Sequence, residues 1–349
     1  MKRLLSIFVF AFIFFAGASA ACAANYDITE YEGDNGFARH NPSFENGDIL
    51  FVRNNITAPD NSVGAITAFS NIETTIKGNG HTISGNNGQA RGFLENVDTN
   101  LTIENAVLTN FVQYDNTPVV IGQLRGDLKL TDVDILNNSL HAADEGNRAI
   151  ILFKANTEII AKDRNVLFSG NSNADGSIKR DIAMNNSKLY LYPAFGKEIR
   201  LMGGIGGTGS LYVGGIKQPG QIDEDVNYGT LVLGGDNSTF EIGDRPQSNI
   251  AVINSTVKLL TDAKYFNEGV NNTYEDGTLD LQNGVIDSIE MKSLSVKKGM
   301  RLKIDVDLEQ LSGDNIKAGA FDTGAGKIVM QKINLLTDFA DDRDRKSVV

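Results

Sequence analysis

The sequence predicts an all-β protein wound as a β-solenoid, and three observations lead there. One short pattern, Asn-Ser, any residue, apolar, polar, apolar, occurs as NSKLYL (Asn186 to Leu191), NSTFEI (Asn237 to Ile242) and NSTVKL (Asn254 to Leu259). Each copy is a small turn signal followed by an alternating strand, and such self-similarity marks stacked units that bury their apolar faces on one another. Apolar alternation bounded by Gly, Asn and Asp returns along the rest of the chain, with no helical periodicity beyond the N-terminus. With 36 Gly, 6 Pro and no Trp, the composition favours many turns and small coils over a helical domain.

The elements follow in order. Lys2 and Arg3 precede an apolar run from Leu4 to Ala16 and the small residues Ala18-Ser19-Ala20. This is the layout of a secretory signal peptide, with an apolar core shorter than the ~20 residues a membrane-spanning helix needs. Residues 1–23 are therefore expected to be removed, by cleavage after Ala20 or Ala23. A third reading acylates Cys22, although Ser19 stands where lipoprotein signals favour Leu. Residues 24–47 are a polar lead-in, and the first strand is expected at Asp48-Ile49-Leu50-Phe51-Val52.

Strand units then recur at Glu73 to Gly85, Asn100 to Phe111, Asp127 to Asn138 and Glu158 to Asn171. They continue at Gly209 to Gly215, Gly229 to Gly235, Gly277 to Gly284, Leu294 to Leu308 and Gly326 to Leu336. Leu101 and Leu128 begin comparable strands one coil apart. Inward Leu, Ile, Val and Phe are expected to stack on like residues, while turn Asn side chains form amide ladders. Phe93, Phe153 and Phe168 are assigned to the interior, each followed three residues later by Asn96, Asn156 or Asn171. Residues 48–343 read as a single solenoid. Residues 344–349 match one reading frame of a common sequencing adapter followed by a stop, so native coding sequence is expected to continue past Arg343.

The Phe-x-x-Asn units, VLFSGNSN (Val166 to Asn173), DIAMNNSKLYL (Asp181 to Leu191) and the Gly-rich phrases GTGSLYVGG and YGTLVLGGDNSTF resemble passenger repeats of autotransporter proteins. The Phe-x-x-Asn units are also similar to those of polymorphic outer-membrane proteins. The second hallmark of that group, Gly-Gly-Ala-Ile, has its nearest match in Val63-Gly64-Ala65-Ile66, which departs at the first residue. The resemblance covers roughly residues 48–336. It implies a right-handed parallel β-helix of pectin-lyase-like architecture, exposed at a diderm cell surface or secreted and exported through a C-terminal β-barrel. This sequence holds no such barrel, so membrane attachment is expected only through one that is missing here.

Chemistry is sparse. The net charge of −12 becomes more acidic once Lys2 and Arg3 leave, and such a surface repels phosphate backbones, so nucleic acid is not an expected partner. Cys22 is the one Cys, which excludes a disulfide framework. Gly204 to Gly209 matches G-x-G-x-x-G but leads into a strand rather than a helix N-terminus, and Thr208 and Ser210 stand where a calcium-binding repeat needs Asp. Asp132 with Asp134 and Asp305 with Asp307 are the carboxylate pairs that a polysaccharide lyase or hydrolase would use. Interleaved Val133, Ile135, Val306 and Leu308 make each pair read instead as the wet face of a strand. His81 lacks the Gly-His-Gly context of polysaccharide hydrolases, and His40 and His141 have no neighbours at metal-ligand spacing. No catalytic, cofactor or metal residue is assigned. The expectation is an adhesin-like or structural surface protein without catalysis, its partner a glycan or protein on a host or neighbouring cell. A polysaccharide enzyme and a passive stalk are the alternatives.

Overall fold

The computed structural model describes residues 24–30, 47–58, 73–86, 93–113, 120–123, 125–140, 150–153, 155–173, 180–214, 216–218, 221–222, 228–241, 249–324 and 326–336. The leader with Cys22, the Val63 to Ile66 match, His40, His141 and residues 344–349 lie outside them. The described chain is all-β: it has strands and turns and no helix, and 26 of its strands join one sheet whose pairings are almost all parallel. Register shows how the strands wind. On a first line Leu50 pairs with Ile76, Ile76 with Ile103, and the ladder continues through Leu130, Ile159, Leu191, Val213, Val252 and Tyr274 to Val296. A second line runs Ile56, Ile83, Leu108, Ile135, Phe168, Leu201, Leu233, Leu259. A third runs Leu94, Ile121, Ile150, Ile182, Ile205. Coil upon coil of this kind fits the expected β-solenoid.

The three inward ladders meet in one core. Because successive strand residues face opposite sides, every second residue of each strand stacks on its counterpart one coil away. Each fully buried Leu, Ile or Phe contributes about 1.5–3 kcal/mol, and the stack repeats that contribution along the axis. Phe93 and Phe168 are fully buried as expected, and the Phe93 ring lies 5.5 Å from that of Phe111. The side chains of Phe153 and Asn96 lie outside the described residues. The repeat is 27 residues between the coils of Glu73, Asn100 and Asp127, the Leu101-to-Leu128 spacing read from the sequence, and 22 between Asn271 and Ser293.

Corners are made by residues that tolerate a left-handed backbone. Asn79, Asn105 and Asp132 all have φ near +50°, and pairing passes from Glu104–Thr131 directly to Ala106–Val133, leaving Asn105 and Asp132 stacked outside the ladder. Asn and Asp adopt this conformation most readily among residues with a Cβ. The three Asn-Ser copies are also corner pieces, but each feeds a different line. NSKLYL enters the first, NSTVKL the second and NSTFEI the third. In two of them the Ser side chain turns inward and donates to a carbonyl of the previous coil, Ser187 to Leu152 and Ser255 to Gly229. The pattern thus repeats a corner, not a coil.

Two expectations about the elements are corrected. The polar lead-in contains a strand, Asn25–Ile28, paired in parallel with Asp48–Val52. Its one deeply buried apolar side chain, Ile28, gives too little alternation to be read as a strand. Asn156 is not a corner residue: it begins the strand Asn156–Ala161, is exposed, and donates to Asp127 Oδ1 at 3.1 Å.

Candidate functional site: the outward face of the first strand line

The aspartate pairs do not form wet faces or open carboxylate pairs. Asp132 is 5% exposed, and its carboxylate accepts the backbone N–H groups of Lys162, Asp163 and Arg164. Asp134 accepts from Leu167 N and is held by Arg164 at 2.6 Å. Asp305 is fully buried; its carboxylate accepts from the N–H groups of Asn283 and Gly284 and from Asn334 Nδ2. Asp307 caps the turn at Glu309 and Gln310. The wet-face reading of Asp132 and Asp305 fails because a left-handed corner or a turn breaks the two-residue period on which it rests.

Asp314 joins Asp305 by accepting the N–H groups of Asp287 and Asp305. Burial, and then the charges of Asp314 and Asp305, push Asp287 up to about 6, against a hydrogen bond from Asn283. Among the described residues no group of three or more His, Cys, Asp or Glu is placed to hold a metal ion. His81 closes the turn of Asn79 and Gly80, donating its N–H to the Gly78 carbonyl. Gly204 to Gly209 runs into the strand Ile205–Val213; a side chain at Gly207 would meet the Met184 carbonyl, so packing of adjacent coils requires the glycine there.

The sequence reading missed three tyrosines. In the strand Ile182–Pro193, Leu189 and Leu191 point into the core, which turns Tyr190 and Tyr192 outward. Tyr212, one coil on, pairs with Tyr190 in register. Their rings stack with centroids 4.9 Å apart and planes 13° apart, and Tyr192 lies beside Tyr190 at 6.2 Å and 12°. Burial pushes the hydroxyls of Tyr190 and Tyr192 above the ordinary tyrosine value, reinforced by neighbouring charge that includes Glu158. Tyr212 pairs on its other side with Ala251, so among the described residues no third ring continues the stack in register. The signal was available: aligning KLYL (188–191) with SLYV (210–213) superposes Tyr190 on Tyr212.

The same face continues toward the N-terminus as a groove of about 280 Å³ lined by Asn100, Thr102, Asp127, Lys129, Asn156 and Glu158, among others. Asn100 Oδ1 accepts from Asp127 N at 2.9 Å, and Lys129 lies 3.8 Å from Glu158. Glu158 pairs directly with Tyr190, joining groove and ring stack. A ring face beside amides, a carboxylate and an ammonium can hold a ligand with one apolar side and many hydroxyls, because the ring takes C–H groups and the polar side chains take O–H groups. Comparison with family models, with curated proteins and with solved structures finds no match to this chain.

Proposed function

We propose that this chain is an exported surface β-solenoid without catalysis, an adhesin-like autotransporter passenger that binds a glycan on a host or neighbouring cell. The single observation that carries the binding reading is the outward stack of Tyr190 and Tyr212, with Tyr192 alongside and the polar groove of Asp127, Asn156 and Glu158 next to it. Export is inferred from the basic, apolar and small-residue layout of residues 1–23. A right-handed, pectin-lyase-like winding is the form proposed for the coils, since parallel strand crossovers are right-handed in nearly all proteins. Against the lyase or hydrolase reading, Asp132, Asp134, Asp305 and Asp307 each already hold backbone N–H groups.

The test is a glycan-array and calorimetric comparison of the mature chain with Tyr192→Ala and Tyr212→Ala, leaving the enclosed Tyr190 intact. Binding of a defined glycan, weakened about tenfold or more by either change with the melting temperature held within a few degrees, supports the reading. Glycan binding that both variants retain, or no binding to any glycan, overturns it. A passive stalk gives the second of these results.

A further inference from the structure

We propose a second binding site on the second strand line, an anion pocket formed by Lys258, Lys303 and Lys332 that takes the sulfate ester or carboxylate of an acidic saccharide. In register Lys258 pairs with Asp280, Asp280 with Lys303, and Lys303 with Lys332. Adjacent strands lie about 4.8 Å apart, so the three ammonium-bearing side chains span three strand intervals of one outward face. With Gln282 and Asn334 they line a polar cavity of about 340 Å³.

Convergence of charge sets this pocket apart. Some lysines elsewhere are matched, Lys264 with Asp236 at 2.7 Å, Lys317 with Glu290 at 2.6 Å and Lys298 with Glu275 at 3.4 Å. Others such as Lys188, Lys197 and Lys297 make no ion pair among the described residues, but here three lysines line one cavity. Here Asp280 is the sole carboxylate of the pocket, and Lys303 already holds it at 3.0 Å. Lys258 and Lys332 make no ion pair among the described residues, which leaves two positive charges uncompensated.

The backbone supplies an independent observation. The ladder between Gly299–Asp307 and Lys327–Leu335 runs Leu302–Met330 and then Lys303–Lys332, skipping Gln331. Without that bulge Gln331 would stand opposite Lys303, and Lys332 would turn to the other face. Like charges directly opposite one another on a sheet are destabilising, and bulges re-aim side chains, often beside binding sites. The bulge therefore creates a repulsive pair that a bound anion relieves. The competing account is that Lys332 merely guards an exposed strand against aggregation.

The experiment is isothermal titration of the mature chain at low ionic strength with a sulfated oligosaccharide, hyaluronate and inorganic sulfate. Lys258→Gln/Lys332→Gln is compared with Lys264→Gln/Lys317→Gln, which removes the same charge at paired sites. Lys303 is left in place because Asp280 depends on it. Saccharide binding at about millimolar or tighter, weakened about tenfold by the first double variant and little by the second, supports the proposal. Binding of the sulfated chain alone assigns a sulfate ester, and binding of hyaluronate as well assigns any saccharide anion. Three results overturn it: no saccharide binding, equal loss in both double variants, or inorganic sulfate binding as tightly as the saccharides. An edge-guard role alone gives the first of these, with increased aggregation of the Lys258→Gln/Lys332→Gln chain.

Discussion

Asn138 Nδ2 donates to Asn171 Oδ1 at 3.0 Å across two coils, with both side chains buried. The pair is the centre of a longer polar ladder. Asn138 Oδ1 accepts from Phe111 N, and Asn171 Nδ2 donates to Ile135 O and to the Asp181 carboxylate, which in turn accepts from Gly203 N. In the dry interior each member satisfies a group that water cannot reach.

Replacing Asn171 with Ala leaves the Asn138 amide, the Ile135 carbonyl and one Asp181 oxygen without this partner. Each buried orphan costs about 1–3 kcal/mol, so the variant is expected to lose roughly 3 kcal/mol or more in urea unfolding, with binding at the outward faces unchanged wherever it remains folded. A loss below about 1 kcal/mol would show that the ladder is not a stability element.

Asp181 makes stability depend on pH. Burial raises it from 3.8 to about 6, against hydrogen bonds from Asn171 and from the backbone of Gly203 and Gly204. Between those values the folded chain retains a proton that the unfolded chain has released. Its contribution is therefore complete below about pH 4 and is lost as pH rises through about 6, by roughly 3 kcal/mol. Asp287, shifted in the same direction but partly solvated, adds a smaller slope of the same sign. In Asp181→Asn the amide keeps an acceptor for Asn171 and turns an N–H toward Gly203, so its absolute stability shifts by an offset. The difference between wild type and variant should still change by about 3 kcal/mol between pH 4 and pH 8. A wild-type slope that survives in the variant assigns the titration to another group.

Much of the fold was legible because burial in a stacked sheet has period two. Leu101, Ile103, Leu128 and Leu130 announce both their strands and, through equal spacing, the coil they share. The corners were less legible, since a left-handed residue such as Asp132 inserts one position that belongs to neither strand and reverses the inferred facing of what precedes it. Asp305 was misread for a related reason: alternation places it on a strand but cannot show that the turn at Asn283 and Gly284 closes over it. The candidate site was hidden more thoroughly. Tyr190 and Tyr212 are near one another only through a coil of 22 residues, shorter than the spacing that Leu101 and Leu128 teach.

Asp132 offers a graded test of the corner. Its left-handed backbone, φ 54°, favours Gly, Asn or Asp, while its carboxylate gathers three N–H groups of the next coil. Asp132→Asn keeps the backbone preference and one acceptor oxygen and should cost about 1 kcal/mol; Asp132→Gly relieves the backbone but strands the donors. Asp132→Ala does both kinds of harm and should be the worst, at roughly 3 kcal/mol or more. Equal losses for Gly and Ala would leave the hydrogen bonds as the whole effect.

The C-terminal strand Lys327–Leu335 bears on solution behaviour. It pairs with Gly299–Asp307 on one side, and no described strand covers its other edge. Val329 and Ile333 are each 53% exposed and Phe321 56%, while Leu294, Met300, Leu302 and Ile328 line an apolar opening of about 360 Å³ beneath them. An exposed strand edge with apolar side chains templates pairing with another chain. The mature chain of this sequence is therefore expected to associate as its concentration rises, and light scattering after size exclusion measures it. Val329→Glu, at a position opposite the exposed Arg301, adds charge at that edge without touching the inward ladders of the preceding coils, and should shift the chain toward monomer. A wild-type chain that stays monomeric over the whole concentration range would show that this edge does not template association.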